Sequence, residues 1–185
     1  AGCSPAQHLL DRAAQHLLAV RLHKSVASEV SKGDALVTIC QLVVQHCNDT
    51  ADALLRSALL RVLLHCSRAS SEIAERLVRH EVIGSVLEFL DFSSGSQNDD
   101  TFSRGLGMLL LATVARRNIL SDEYEQDCID VATHALRCAS DIRVLAAAAL
   151  LMYTTMRGGR PGTVSSAKQA VHMPSTLCGL RRLLQ

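Results

Sequence analysis

Two arginines stand alone on otherwise uncharged apolar runs. Between Ser57 and Cys66 the one formal charge is Arg61, and between Ile142 and Met156 it is Arg143. A guanidinium stays protonated and presents a planar fork of donors, so the chemistry open to it is a two-bond grip on a carboxylate. On an apolar helix such a charge is costly unless it is paired or reaches water. Arg104, ahead of Gly105-Leu106-Gly107-Met108-Leu109-Leu110, repeats the arrangement. Two readings stay open: each arginine pairs with a nearby Asp or Glu or snorkels to the surface, or the three form a ladder that binds carboxylates from outside.

Other chemistry finds no support. There is no GxSxG, HExxH, P-loop or CxxC; Gly105-x-Gly107 lacks a third glycine, and Gly158-Gly159-Arg160-Pro161-Gly162 lacks the Lys-Ser that a phosphate loop needs. The eight histidines are scattered over different segments. Neither enzymatic activity nor a cofactor is expected. The seven cysteines are odd in number and lie at 3, 40, 47, 66, 128, 138 and 178, which encodes neither a secreted disulfide framework nor a zinc site and points to a reducing compartment. His46-Cys47 and His65-Cys66 look ligand-like, but helix neighbours point about 100° apart and do not chelate one ion. Cys40, Cys66 and Cys138 fall in apolar runs and read as small buried hydrophobes.

These residues must be positioned by helices. Three prolines, ten glycines and 3% aromatics in 185 residues favour helix over sheet. The periodicity predicts helices over Gln7–Leu22 and about 34–47, then Ala51–Cys66 after an Asn48-Asp49-Thr50 cap, Glu72–Arg79 after Ser70-Ser71, and about 82–92. Others follow at about 101–117, Glu123–Cys138 after Ser121-Asp122, from Asp141 to Gly158-Gly159, and from Pro174-Ser175 to Leu184. Ser93–Asp100 and Arg160–Ser166 read as loops. The helix Ala51–Cys66 is apolar nearly all round, with Leu60 and Leu64 opposite Leu59 and Leu63, as in a helix buried inside an assembly of repeats.

Arg61, Arg104 and Arg143 are spaced 43 and then 39 residues apart, close to the roughly 40–47 residue period of armadillo and HEAT repeats. Arg21 and Arg181 extend the spacing. The expectation is an all-α, armadillo/HEAT-like helical-repeat solenoid, one domain over 1–185, whose concave groove is lined by the last helix of each unit. The start at Ala1 without methionine, with Cys3 and Pro5 in a loop-like opening, reads as a piece excised from a longer chain. A net charge of +1 provides no global field for nucleic acid, so basic recognition must be local. The basic residues are 16 Arg against 3 Lys, a skew toward the residue suited to bidentate carboxylate recognition or one reflecting GC-rich coding. No signal peptide and no membrane span are visible, the apolar runs Leu106–Ala115 and Val144–Tyr153 being too short.

From about residue 34 to 185 the order of segments resembles the PUL domain, the armadillo-like C-terminal domain of phospholipase-activating protein and of its fungal ubiquitin-pathway relatives. The stretch Ser57-Ala58-Leu59-Leu60-Arg61-Val62-Leu63-Leu64-His65-Cys66 is similar to that family's Leu-Arg-centred groove helix, and Asp141-Ile142-Arg143-Val144-Leu145-Ala146-Ala147-Ala148 to its second arginine-bearing helix. The resemblance implies a basic groove that binds the acidic, aromatic-containing C-terminal tail of the AAA ATPase valosin-containing protein. Arg61 and Arg143 match the tail-binding positions, with Arg104, His65 and Ser57 beside them. It also implies a monomeric cytoplasmic or nuclear adaptor of the ubiquitin system, with no nucleic acid or membrane among its partners. Leu36–Cys47 lacks the Pro and Arg of the family's early segment. The alternative is a generic armadillo or HEAT scaffold for another protein, such as tubulin or a ciliary component.

Overall fold

Capping side chains set where three of the helices begin, whereas Ser70, expected to cap the helix that starts at Ser71, makes no side-chain cap bond. The computed structural model describes residues 35–46, 53–91, 100–159 and 161–183, and among these it contains nine helices and no strand. In chain order they are α1 (Ala35–His46), α2 (Ala53–Ala69), α3 (Ser71–Arg79), α4 (Val82–Leu90), α5 (Thr101–Ala115), α6 (Asp122–Cys138), α7 (Ile142–Gly158), α8 (Pro161–Val171) and α9 (Pro174–Arg182). Asp100 accepts from the Ser103 N–H at the start of α5, Ser121 from Tyr124 at the start of α6, and Asp141 from Arg143 at the start of α7. Each satisfies an amide that the helix leaves without an internal partner. The expected segment Gln7–Leu22, the Asn48-Asp49-Thr50 cap, Ser93–Asp99, Cys3, Cys47 and Arg21 lie outside the described residues.

The helices pack in two rows. In one, α5 lies between α2 and α7; in the other, α4 touches α1 and α6, and α6 continues to α8 and α9. The first row is parallel, because contacts join its members at both ends. Arg56 of α2 meets Asp100 at the start of α5, and Arg117 just past α5 donates to the carbonyls of Ser67 and Arg68 at the end of α2. At the α7 end, Thr101 bonds Asp141 while Asn118 packs on Gly158. The core runs between the rows through Leu60, Leu63, Ile73, Leu77, Ile83, Leu90, Met108, Leu110, Leu111, Ile129 and Leu151, all fully buried. α5 is covered most completely, and Gly107 lets it approach α4: a Cβ there would lie 3.3 Å from Val86 Cγ1.

Three expectations need correction. Residues 161–166 are helical: Pro161 is compatible with a first turn, and Thr163, Ala167 and Ala170 form a buried stripe too small to register as apolar periodicity. α2 is not buried all round. It covers Leu59, Leu60, Leu63, Leu64 and Cys66 but leaves Leu54 84% and Val62 37% exposed. Cys138, at the very end of α6, is exposed, while Cys40, Cys66 and Cys128 are buried; all four are free thiols, as is exposed Cys178. Among the described residues no helix is long and apolar enough to cross a membrane.

Candidate functional site

The exposed sides of α2, α5 and α7 form one continuous face. On α2, Leu54, Ala58, Arg61 and Val62 recur at the three- and four-residue spacing of a single helix side. On α7 the corresponding stripe is Ile142, Ala146, Leu150, Tyr153 and Arg157, with Arg143 at its edge. α5 contributes Phe102, half-buried Leu109 and exposed Arg116, with Gly105, itself buried, between them. A Cβ added at Gly105 would meet nothing within 4 Å, so the surface is recessed there. The three stripes are physically joined. The Arg61 guanidinium lies 5.3 Å from the centre of the Phe102 ring, and Arg116, Tyr153 and Arg157 line one cavity.

Arg61 and Arg143 both reach this face, in different circumstances. Arg61 is exposed and rests on an aromatic ring, a cation–π contact that steadies its long side chain without neutralising it. Arg143 is gripped by Asp141: Nε donates at 3.1 Å to Oδ1 and Nη2 at 2.6 Å to Oδ2, while the same carboxylate caps α7. The Arg143 side chain and then its backbone N–H hold the Asp141 carboxyl well below the usual range, against a small opposing effect of burial, and Thr101 adds a further hydrogen bond. Asp141 raises the Arg143 guanidinium above its ordinary value in return.

The other expected residues belong to the site less directly. Arg104 and His65 are half-buried. Ser57 is half-buried too, and its hydroxyl donates to the Leu54 carbonyl at 2.9 Å inside its own helix turn. The arginine that the apolar-run criterion missed is Arg56, one position before Ser57. It is 1% exposed, donates to Asp100 Oδ2 at 2.7 Å from Nη2 and 3.2 Å from Nε, and stacks 4.6 Å from the Phe89 ring centre. Burial pushes the Asp100 carboxyl up, but the Ser103 side chain and amide and the Arg56 guanidinium together outweigh it and leave the carboxyl below its ordinary value. This is a structural pair, with its donors turned inward.

Basic and acidic side chains cluster in different places. The α2–α5–α7 face exposes Arg61, Arg116, Arg143 and Arg157, with Asp141 the carboxylate beside them. On the other row Glu88, Asp91, Asp127 and Asp130 gather around a separate cavity of about 400 Å³ between α4 and α6. There burial, then Glu123 and Asp130, push the Asp127 carboxyl up. A net charge of +1 therefore conceals a basic face and a separate acidic cavity. Phe102, Tyr153, Arg116 and Arg157 were not singled out from sequence; the available signal was the 3–4 spacing of Ile142, Ala146, Leu150 and Tyr153, which marks a side of α7 with no covering element.

Among the described residues no group of three or more His, Cys, Asp or Glu side chains is placed to hold a metal ion. No protein-family model, curated protein or solved structure matches the chain at a significant level.

Proposed function

We propose that this chain is a protein–protein interaction module whose α2–α5–α7 face holds an acidic, aromatic-containing C-terminal tail, with the two rows of helices acting as an armadillo/HEAT-like solenoid and this face as its groove. The observation that supports the reading is the coincidence, on one continuous face, of exposed apolar side chains with arginines at both ends and a recess at Gly105. Exposed apolar surface rimmed by charge is the usual mark of a protein-binding patch. The PUL resemblance names the tail as that of valosin-containing protein and the setting as an adaptor of the ubiquitin system.

The test is a fluorescence-anisotropy titration with the tail peptide. Arg61→Ala and Arg143→Ala should each weaken binding by roughly tenfold or more, and affinity should fall with salt, because charge-assisted bonds to carboxylates are lost and screened. Melting temperature should be unchanged for both, since each guanidinium is exposed. One observation favours a second reading, a generic helical scaffold with a different partner: Arg143 already has a carboxylate in Asp141. No salt-sensitive binding at high micromolar peptide would leave that scaffold as the function.

A further inference from the structure

At the far end of the same face α5 and α7 stop side by side, and Arg116, Asn118, Tyr153, Thr154, Arg157 and Gly158 enclose a cavity of about 360 Å³. Two guanidiniums, the Asn118 amide and the Tyr153 phenol can all donate into it. The Thr154 hydroxyl is committed elsewhere, donating to the carbonyls of Leu150 and Leu151 at 2.9 and 3.0 Å. None of the lining residues is acidic, and among the described residues neither Arg116 nor Arg157 is held in an ion pair.

The backbone shapes this cavity. Asn118 adopts a left-handed conformation with φ 56°, which asparagine tolerates better than most residues. Its side chain folds onto Gly158, where any Cβ would collide with Asn118 Oδ1. Glycine thus allows the end of α7 to close on the turn that follows α5. At the opposite end of the α7 stripe Arg143 is engaged by Asp141, so along α7 itself the cation without a carboxylate is Arg157, with Arg116 beside it. Residues 143 to 157 span about 21 Å at 1.5 Å per residue, room for roughly six residues of extended chain, with Leu150 and Tyr153 exposed along the way. Beyond Arg157 the stripe ends at Gly159, the C-cap of α7.

We infer that Arg116 and Arg157 seat the terminal carboxylate of the bound peptide, so that the chain end itself, and not only acidic side chains, is recognised. A terminal carboxylate suits a cavity that closes off the stripe, because it carries two anionic oxygens and no onward chain. Two arginine forks supply more than enough donors for both oxygens. The inference rests on the tail-binding reading above and adds a direction to it: the peptide lies along α7 with its C-terminus at the Arg157 end. The competing role for these arginines is to complement the negative C-terminal ends of α5 and α7.

The experiment titrates one short acidic peptide carrying an aromatic residue, made once as the free acid and once as the C-terminal amide, into the wild-type chain, Arg61→Ala and the Arg116→Gln/Arg157→Gln double variant. On wild type the amide should bind about tenfold more weakly or worse. Arg61→Ala should weaken both forms and keep the ratio. The double variant should bind both forms alike, with an unchanged melting temperature. Equal binding of acid and amide to wild type, or a preference that survives in the double variant, refutes the seat and leaves the tail-binding reading standing. A double variant that melts early yet keeps the preference assigns the arginines to the helix ends alone. Failure of both peptides to bind wild type overturns both readings.

Discussion

Arg56 and Asp100 are 44 positions apart in the chain and 2.7 Å apart in space, tying the first turn of α2 to the N-cap of α5. The pair sits behind the arginine-bearing face and fixes the register of the two helices that display Arg61 and Phe102.

Removing one partner of a buried ion pair leaves the other without compensation, which typically costs about 3–5 kcal/mol. Arg56→Ala should therefore lower the unfolding free energy by roughly that amount, read from urea denaturation, and should reduce the protection of α5 amides in hydrogen exchange. Arg61→Ala, five positions away on the exposed side, should leave both unchanged.

Because the Asp100 carboxyl is held below its unfolded value of about 3.9, the folded state favours its ionised form. That contribution is fully present above the unfolded pKa and disappears as the pH falls through the folded one. Urea midpoints should hold steady from neutral pH to about pH 5 and drop below about pH 4. Asp100→Asn, which retains a capping side chain, should be less stable at neutral pH and show a flatter acid limb.

Asp141 competes with any external carboxylate for Arg143. Asp141→Ser keeps an N-cap for α7 while freeing the guanidinium, so an acidic peptide should bind roughly threefold tighter or better. An Asp141→Ser/Arg143→Ala double variant should lose the gain. Equal affinity of Asp141→Ser and wild type would place Arg143 outside the binding surface.

Gly105 offers a graded probe of the recess, since a Cβ there meets open space while the neighbouring Gly107 faces Val86 and Leu90. Gly105→Ala should stabilise by about 0.5–1 kcal/mol through lower unfolded-state entropy. Gly105→Leu should remain folded but block peptide binding. Gly107→Leu should instead unfold or loosen the domain by forcing α5 from α4.

Thiol accessibility divides the described cysteines. Burial pushes the Cys40 thiol up to about 11, raises that of Cys66, and, with Asp127 and Glu125 adding to it, raises that of Cys128 further. In an iodoacetamide pulse near pH 8, mapped by mass spectrometry, Cys138 and Cys178 should label first, and Cys40, Cys66 and Cys128 only in denaturant. Early labelling of Cys128 would contradict the packing of α6 against α7.

The helices with conventional signals were readable because local chemistry and tertiary packing agree: Ser121 and Asp141 cap where they should, and Ile73, Ala74 and Leu77 form the buried side of α3. The α8 segment was not, because its contacts are made by a threonine and alanines, whose burial leaves little trace in an apolar pattern. Isolation among apolar neighbours marked Arg61 and Arg143 but gave no account of depth. Whether a guanidinium turns inward, as at Arg56, or outward, as at Arg61, depends on a carboxylate that comes from elsewhere in the chain. Likewise Arg116 and Arg157 become neighbours only through the parallel stacking of α5 on α7, which no local spacing encodes.

Two further arginines act as straps. Arg117 donates at 2.8 Å to the Ser67 carbonyl, 50 positions earlier, and Arg182 donates at 2.8 and 3.0 Å to the carbonyls of Ala139 and Leu136. In each case one helix's C-terminal carbonyls are closed by a side chain from the end of a later helix or the turn just after it. Gly179 lets the second strap draw tight, since any Cβ there would strike the Leu136 carbonyl. Helix α9 is therefore not an ornament that can be trimmed. Cutting the chain before Pro174 would uncap α6 as surely as a substitution within it, and fraying at this end would travel one unit inward. In a protein wired in this way the state of α9 reports on the integrity of α6.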